Sequence, residues 1–188
     1  MGSLFVIEPI ASEETLRASA VAEDVAFVEQ FASASRRCEV LAWRAIVRRE
    51  LGCDLEIAHN EYGAPTVNTP NTYISVSHSR DRVAVLLADR ACAVDIESVE
   101  RDFRRVATRY LSKEEQQLAE QNDLYAEMWS AKEALYKYYK KGGLDFANDL
   151  SIAEYDADRG VLRSSILGGE PIEVKIRRED TLVVALID

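Results

Sequence analysis

Two apolar runs of one shape constrain this chain more than any other feature. Val83-Ala84-Val85-Leu86-Leu87 and Val183-Val184-Ala185-Leu186-Ile187 stand one hundred residues apart. Short continuous runs rich in β-branched residues read as buried strands, and each follows a charged turn, as the second strand of a hairpin does. Helical spacing precedes both hairpins. The repeat predicts an α+β fold: a pseudo-twofold arrangement of two similar α/β halves, each a small antiparallel sheet packed against helices. The halves are read as residues 1–89 and 90–188. No Pro-, Gly- or Ser-rich linker separates them, so one compact unit with a shared interface is expected.

Within the first half, Leu4 to Ile10 reads as a strand and Glu13 to Phe31 as a helix. A stronger helix follows Ser35 and stops at Gly52. His59 to Asn71 lacks periodicity and reads as a loop. Tyr73 to Ser77 and Val83 to Leu87 form the hairpin, and Cys92 to Glu97 is a further strand. Beyond it come a helix from Arg101 to Tyr110, a capping box at Ser112-Lys113-Glu114-Glu115, and a long helix from Asp123 to Lys141 ended by Gly142-Gly143. Strands are expected at Leu150–Tyr155, Val161–Ile166, Ile172–Ile176 and Leu182–Ile187.

The formal net charge of −10 opposes broad contact with nucleic acid or an anionic membrane, though not a local basic dock. No apolar run approaches the ~20 residues of a membrane span, and the first ten residues are too short and acidic for a secretory signal. A cytoplasmic protein is expected. Cys38, Cys53 and Cys92 are odd in number and lack a Cys-x-x-Cys pair, which argues against disulfides and structural zinc and for reduced core or near-core thiols.

Asp95-Ile96-Glu97 carries the first chemical signal. Residues two apart on a strand share a face, so both carboxylates point one way while Ile96 turns inward. On the long helix, Trp129, Glu133 and Lys137 lie four apart in one row. A third carboxylate beside an ammonium is what a hard divalent cation and a phosphate ester need together. The competing readings are an edge strand showing acids to solvent and a solvated helix face.

Further segments turn these fragments into a pattern. Ala93-Val94-Asp95-Ile96-Glu97, Trp129-Ser130-Ala131-Lys132-Glu133-Ala134 with Lys137, Ile74-Ser75-Val76-Ser77-His78-Ser79, Tyr110-Leu111-Ser112-Lys113-Glu114-Glu115 and the arginine helix of Arg37 to Arg44 together resemble the 4′-phosphopantetheinyl transferase superfamily, in its longer form with two halves in one chain. The resemblance spans roughly Arg36 to Phe146. Two departures stand out: Gly63-Ala64-Pro65 lacks the lysine usual in that loop, and Ala93 replaces a common glycine.

The resemblance implies transfer of the 4′-phosphopantetheine group of coenzyme A to a serine of an apo acyl or peptidyl carrier protein, with release of adenosine 3′,5′-bisphosphate. It implies Mg²⁺, or Mn²⁺ in its place, on Asp95, Glu97 and Glu133. Coenzyme A contacts fall to Arg37, Arg44, Ser77, His78, Lys132 and Lys137. Lys137 stabilises charge on the phosphate, with Lys132 as a lesser contributor. Glu133 is the first candidate for the general base, and Glu115 the second unless capping consumes it. Trp129 is expected to pack and orient its helix. Arg48 and Arg49 read as solvated. Arg101, Arg104, Arg105 and Arg109 recur at three- and four-residue spacing, as a basic stripe that either pairs with local acids or receives an acidic carrier helix.

No Gly-x-Ser-x-Gly elbow surrounds Ser77 or Ser79, which argues against a serine hydrolase. Two rival readings remain, another Mg²⁺-dependent phosphoryl or nucleotidyl transferase and a non-catalytic carrier-binding domain. The apparent duplication favours a monomer.

Overall fold

In the computed structural model, which describes residues 2–188, the chain divides into two units, one ending at Arg90 and one beginning at Ala91. In the first, β1 (Leu4–Pro9) pairs antiparallel with β5 (Arg82–Ala88), which pairs with β4 (Tyr73–Ser79), in the order β1-β5-β4. Arg80 turns the β4–β5 hairpin in the left-handed region at φ 53°.

The helical stretch expected between Glu13 and Phe31 is broken into α1 (Glu13–Ser19) and α2 (Ala22–Val28). The Ser19 hydroxyl donates to the carbonyls of Thr15 and Leu16, competing at the helix end. Asp24 of α2 is drawn into the interior by arginines of the next helix. That helix, α3 (Ala34–Leu51), is capped by Ser33 rather than Ser35, and Gly52 ends it at φ 113°. Val40, Leu41, Trp43, Ile46 and Val47 of α3 share a core with Ile74, Val83, Val85 and Leu87 of the sheet.

The loop expected from His59 to Asn71 begins at the end of β2 (Ile57–His59) and contains β3 (Pro65–Val67), which pairs with it as a small hairpin. Three-residue strands are too short to leave a periodic trace. Their turn is organised by Asn60, whose Oδ1 accepts from the amides of Tyr62 and Ala64.

The second unit is a five-stranded antiparallel sheet in the order β6-β10-β9-β8-β7. Its strands are β6 (Ala93–Ser98), β7 (Leu150–Asp156), β8 (Val161–Ile166), β9 (Ile172–Glu179) and β10 (Leu182–Ile187). As in the first unit, the opening strand pairs antiparallel with the closing one: Asp95 sits opposite Ala185 and Glu97 opposite Val183.

A 3₁₀ helix (Arg104–Arg109), α4 (Lys113–Asn122) and α5 (Tyr125–Tyr139) complete this unit. The Ser112–Glu115 capping box opens α4. Lys140, left-handed at φ 60°, ends α5 ahead of Gly142 and Gly143. Ala131 and Ala134 of α5 share a core with Ala93 and Ala185 of the sheet. Buried Met128 and Leu135 extend that core, each contributing about 2 kcal/mol on leaving water.

The segment from Arg101 to Tyr110 corrects the expected α-helix. Ala107 and Tyr110 are buried one turn apart, while the exposed Arg104, Arg105 and Arg109 fall on three different rows at three residues per turn. The arginines therefore do not form a single stripe. Cys53 is exposed, Cys38 half-buried and Cys92 buried, all as free thiols, so only Cys53 departs from the expected core or near-core placement. Among the described residues, no helix is long and apolar enough to cross a membrane.

Candidate active site

Strand alternation on β6 puts Ala93, Asp95 and Glu97 on one face, and Ala93 packs in the core that contains α5. From α5, Ser130, Glu133 and Lys137 lie three, four and seven residues apart, which gathers them on one side of the helix. Ser130 Oγ donates to Asp95 Oδ2 at 2.7 Å, and Lys137 Nζ donates to Asp95 Oδ1 at 2.7 Å and to the Val94 carbonyl at 3.2 Å. Both oxygens of this buried carboxylate are thus held by the helix.

The other two acids are less satisfied. Arg101 donates to Glu97 Oε1 at 2.7 Å, while Glu97 Oε2 is buried without a hydrogen-bond partner. Burial pushes Glu97 above the usual carboxylate range, and Asp95 adds to the effect against the pull of Arg101. Glu133 is half-buried, and its carboxyl is also raised, first by burial, then by the charges of Asp95 and Glu97. The Asp95 charge thus disfavours ionisation of both glutamates, which makes this a locus where added positive charge is stabilising.

Among the described residues, no three acidic, thiol or imidazole side chains close around one point tightly enough to hold a metal ion as they stand. The Lys137 ammonium occupies Asp95 Oδ1 instead. The donor set nevertheless suits a hard divalent cation, being all carboxylate oxygen with one buried oxygen unpartnered.

Glu115 and Lys132 have no such freedom. Lys132 is 0% exposed, and its Nζ donates to Glu115 Oε2 at 2.6 Å and to the carbonyls of Phe146 and Leu150 at 2.7 Å. Burial pulls the Lys132 ammonium down, opposed by Glu115. Glu115 Oε2 also accepts from the Ser112 amide and Oε1 from the Ile152 amide. Capping and this ion pair consume Glu115, which corrects its reading as an alternative base. Lys132, with each of its three donors engaged inside the core, is likewise not offered to a phosphate. Trp129 packs among Phe103, Tyr110 and Phe146, with ring centroids 5.1–5.8 Å away.

In the first unit, alternation on β4 sets Ser77 and His78 on opposite faces; Ser77 is buried and His78 exposed. His78 shares its face with Ile74 and Val76 and meets α3, where Arg36 Nη1 lies 3.1 Å from His78 Nε2. Glu39 approaches the same pair, 3.1 Å from Arg36 and 3.4 Å from His78.

Arg37 is taken up by Glu13, at 2.7 and 2.9 Å. Arg44 is 1% exposed, bonded through Nε to Asp24 and stacked over Phe27 at 4.6 Å. Arg48, expected in solvent, is buried too, on Asp24 and the carbonyls of Cys53 and Leu55. Burial pushes Asp24 up, but hydrogen bonds from Arg48 and Arg44 more than offset it and leave the carboxyl low. Arg44 and Arg48 thus serve the interior. Arg36, not Arg37 or Arg44, is the α3 arginine that joins His78, a pairing visible in sequence only as an Arg-x-x-Glu spacing. Ser130 also escaped the sequence reading, although it lies three residues before Glu133.

Arg101 engages Glu97, and Arg104 engages Glu120. Arg105 and Arg109 are exposed and make no side-chain ion pair among the described residues.

Two known proteins resemble this chain over about half of its length. Over 96 residues, 47% of this chain and 43% of the relative, the chain is 32% identical to 4′-phosphopantetheinyl transferase ffp of Bacillus subtilis. Over 109 residues, 53% of this chain and 49% of the relative, it is 28% identical to 4′-phosphopantetheinyl transferase Sfp of Bacillus subtilis strain 168. The matched stretch spans about half the length of these curated relatives. The family model of the 4′-phosphopantetheinyl transferase superfamily matches residues 91–186, from just before β6 to the penultimate residue of β10, so every carboxylate of the candidate site lies within it. The chain therefore belongs to the 4′-phosphopantetheinyl transferase superfamily.

Proposed function

We propose that the protein transfers the 4′-phosphopantetheine group of coenzyme A to a serine hydroxyl of an apo acyl or peptidyl carrier protein, in a Mg²⁺-dependent reaction that releases adenosine 3′,5′-bisphosphate. The observation that carries this reading is the grouping of Asp95, Glu97 and Glu133, two of them with raised pKa, beside the Lys137 ammonium. Such a site is built for a cation next to a phosphate ester. Asp95, Glu97 and Glu133 would hold the Mg²⁺, which when bound supplies Lewis-acid withdrawal of charge from the pyrophosphate oxygens.

The serine oxygen forms its bond to the phosphorus that carries pantetheine, the bridging P–O bond breaks, and the adenosine bisphosphate leaves with the electron pair. Lys137 moves from Asp95 to the phosphate and stabilises the charge that gathers there. Glu133 accepts the serine proton. In the first unit, Arg36 and His78 are the proposed contact for a phosphate of coenzyme A, with Glu39 yielding its place. Arg105 and Arg109 are the proposed contacts for an acidic carrier helix.

Incubation with Mg²⁺, coenzyme A and a panel of apo carriers, followed by intact-mass measurement, tests the proposal. The expected result is a phosphopantetheine adduct on at least one carrier, absent with Asp95→Ala or Glu133→Gln. Turnover of nucleotides without any carrier, or full activity of either variant, would refute it.

A further inference from the structure

We propose that Ser130 is a positioning residue of the cation site, its hydroxyl fixing the Asp95 carboxylate in the orientation that receives a divalent cation. The inference rests on the function proposed above and adds a residue to it. Ser130 is 0% exposed, and its Oγ donates to Asp95 Oδ2 at 2.7 Å.

A serine inside a helix ordinarily turns its hydroxyl back to the carbonyl four residues earlier, here that of Ala126. Ser130 gives its proton to Asp95 instead. The neighbouring face of α5 is apolar, built from Ala131, Ala134 and Leu135. Alanine would satisfy that packing with the better helix propensity, so the hydroxyl is justified by its bond to the carboxylate.

The three acids differ in how firmly they are held. Among the described residues, Glu97 has a buried oxygen without a hydrogen-bond partner, and no side chain donates a hydrogen bond to Glu133. Asp95 is gripped at both oxygens, by Ser130 and by Lys137, one turn apart from Glu133 on either side. Lys137 cannot be the permanent restraint, because its ammonium is the group that moves to the phosphate. When it leaves Oδ1, that oxygen opens, and the Ser130 hydroxyl still holds Oδ2. Hydrogen-bond partners that orient ligands of this kind are worth about ten- to a hundredfold in metal affinity.

The test compares the full chain with Ser130→Ala and Ser130→Cys, measuring Mn²⁺ binding by calorimetry without coenzyme A, thermal stability, and transfer as a function of Mg²⁺. Cysteine fills nearly the same space but donates weakly, so it separates the hydrogen bond from the packing. Both variants are expected to bind Mn²⁺ about ten- to a hundredfold more weakly, and to need proportionately more Mg²⁺ for half-maximal transfer while recovering most of kcat at saturation. Wild-type Mn²⁺ affinity in Ser130→Cys would overturn the proposal, since shape alone would then suffice. So would wild-type affinity in both variants. If the unaltered protein binds no Mn²⁺ and modifies no carrier, the function proposed above fails, and this inference falls with it.

Discussion

Lys132→Met separates two readings of a motif lysine. By family pattern Lys132 serves the phosphate; by its surroundings it holds the second unit together. Its ammonium makes three hydrogen bonds of 2.6–2.7 Å in the interior. Methionine keeps the volume and removes the charge, leaving Glu115, 4% exposed, with an uncompensated negative charge and the carbonyls of Phe146 and Leu150 without their donor. Breaking one side of a buried ion pair costs about 3–5 kcal/mol. The two amides that still donate to Glu115 place this case toward the lower end. At about 2–4 °C per kcal/mol for a chain of this size, the melting temperature should drop by about 6–20 °C. Urea unfolding followed by circular dichroism gives the free energy, and steady-state transfer well below the transition gives KM for coenzyme A. The expected outcome is a large loss of stability with KM little changed. Adding Glu115→Leu should restore much of the loss, because an apolar pair can replace a buried ionic one. Unchanged stability with a sharply raised KM would refute this reasoning and return Lys132 to the phosphate.

Further predictions follow from the same structure. Glu97 and Glu133 hold their protons more tightly folded than unfolded, so the stability they contribute is fully present below the ordinary value of 4.5 and is lost as pH rises through their raised folded values. In metal-free buffer Glu133→Gln should flatten that decline, and an unaltered pH–stability curve would show that the acids do not interact. Asp24 has the opposite sign: its depressed carboxyl stabilises the fold above the ordinary value of 3.8, and that contribution disappears as pH falls through the folded value. Asp24→Asn should cost about 3–5 kcal/mol in denaturant unfolding by stranding Arg44 and Arg48; a loss below ~1 kcal/mol would contradict the buried triad. Lys137→Met should tighten Mn²⁺ binding without coenzyme A about tenfold, or ~1.4 kcal/mol, by vacating Asp95 Oδ1, while transfer falls. Weaker calorimetric binding would mean that Lys137 supports the cation site rather than competing for it. Charge reversal at Arg105 and Arg109 should raise the carrier's KM at low salt and spare that of coenzyme A, and unchanged carrier kinetics would remove both residues from the docking surface.

Much of the second unit was legible because its signals are local. The Asp95–Glu97 alternation, the row of Glu133 and Lys137, and the Ser112–Glu115 capping box depend only on strand and helix periods. The hairpins ending in β5 and β10 were legible for the same reason. Boundaries were less so where competing hydrogen bonds intervene, as at Ser19 between α1 and α2, or where strands are as short as β2 and β3. The 3₁₀ helix was read with the wrong period, which turned dispersed arginines into a stripe.

Sequence alone determined which chemistry the chain carries, since residue type and spacing name the carboxylates, the lysines and the arginines. Tertiary structure decided which of them are available to act. Arg44, Arg48, Glu115 and Lys132 look like functional or solvated charges in one dimension, yet each meets an opposite charge in the interior and is spent there. Ser130 looks like filler and holds Asp95. The reason is physical: a buried charge must find a partner, and that partner can lie 17 to 35 residues away in sequence, as it does for Lys132 with Glu115, Arg44 and Arg48 with Asp24, and Ser130 with Asp95.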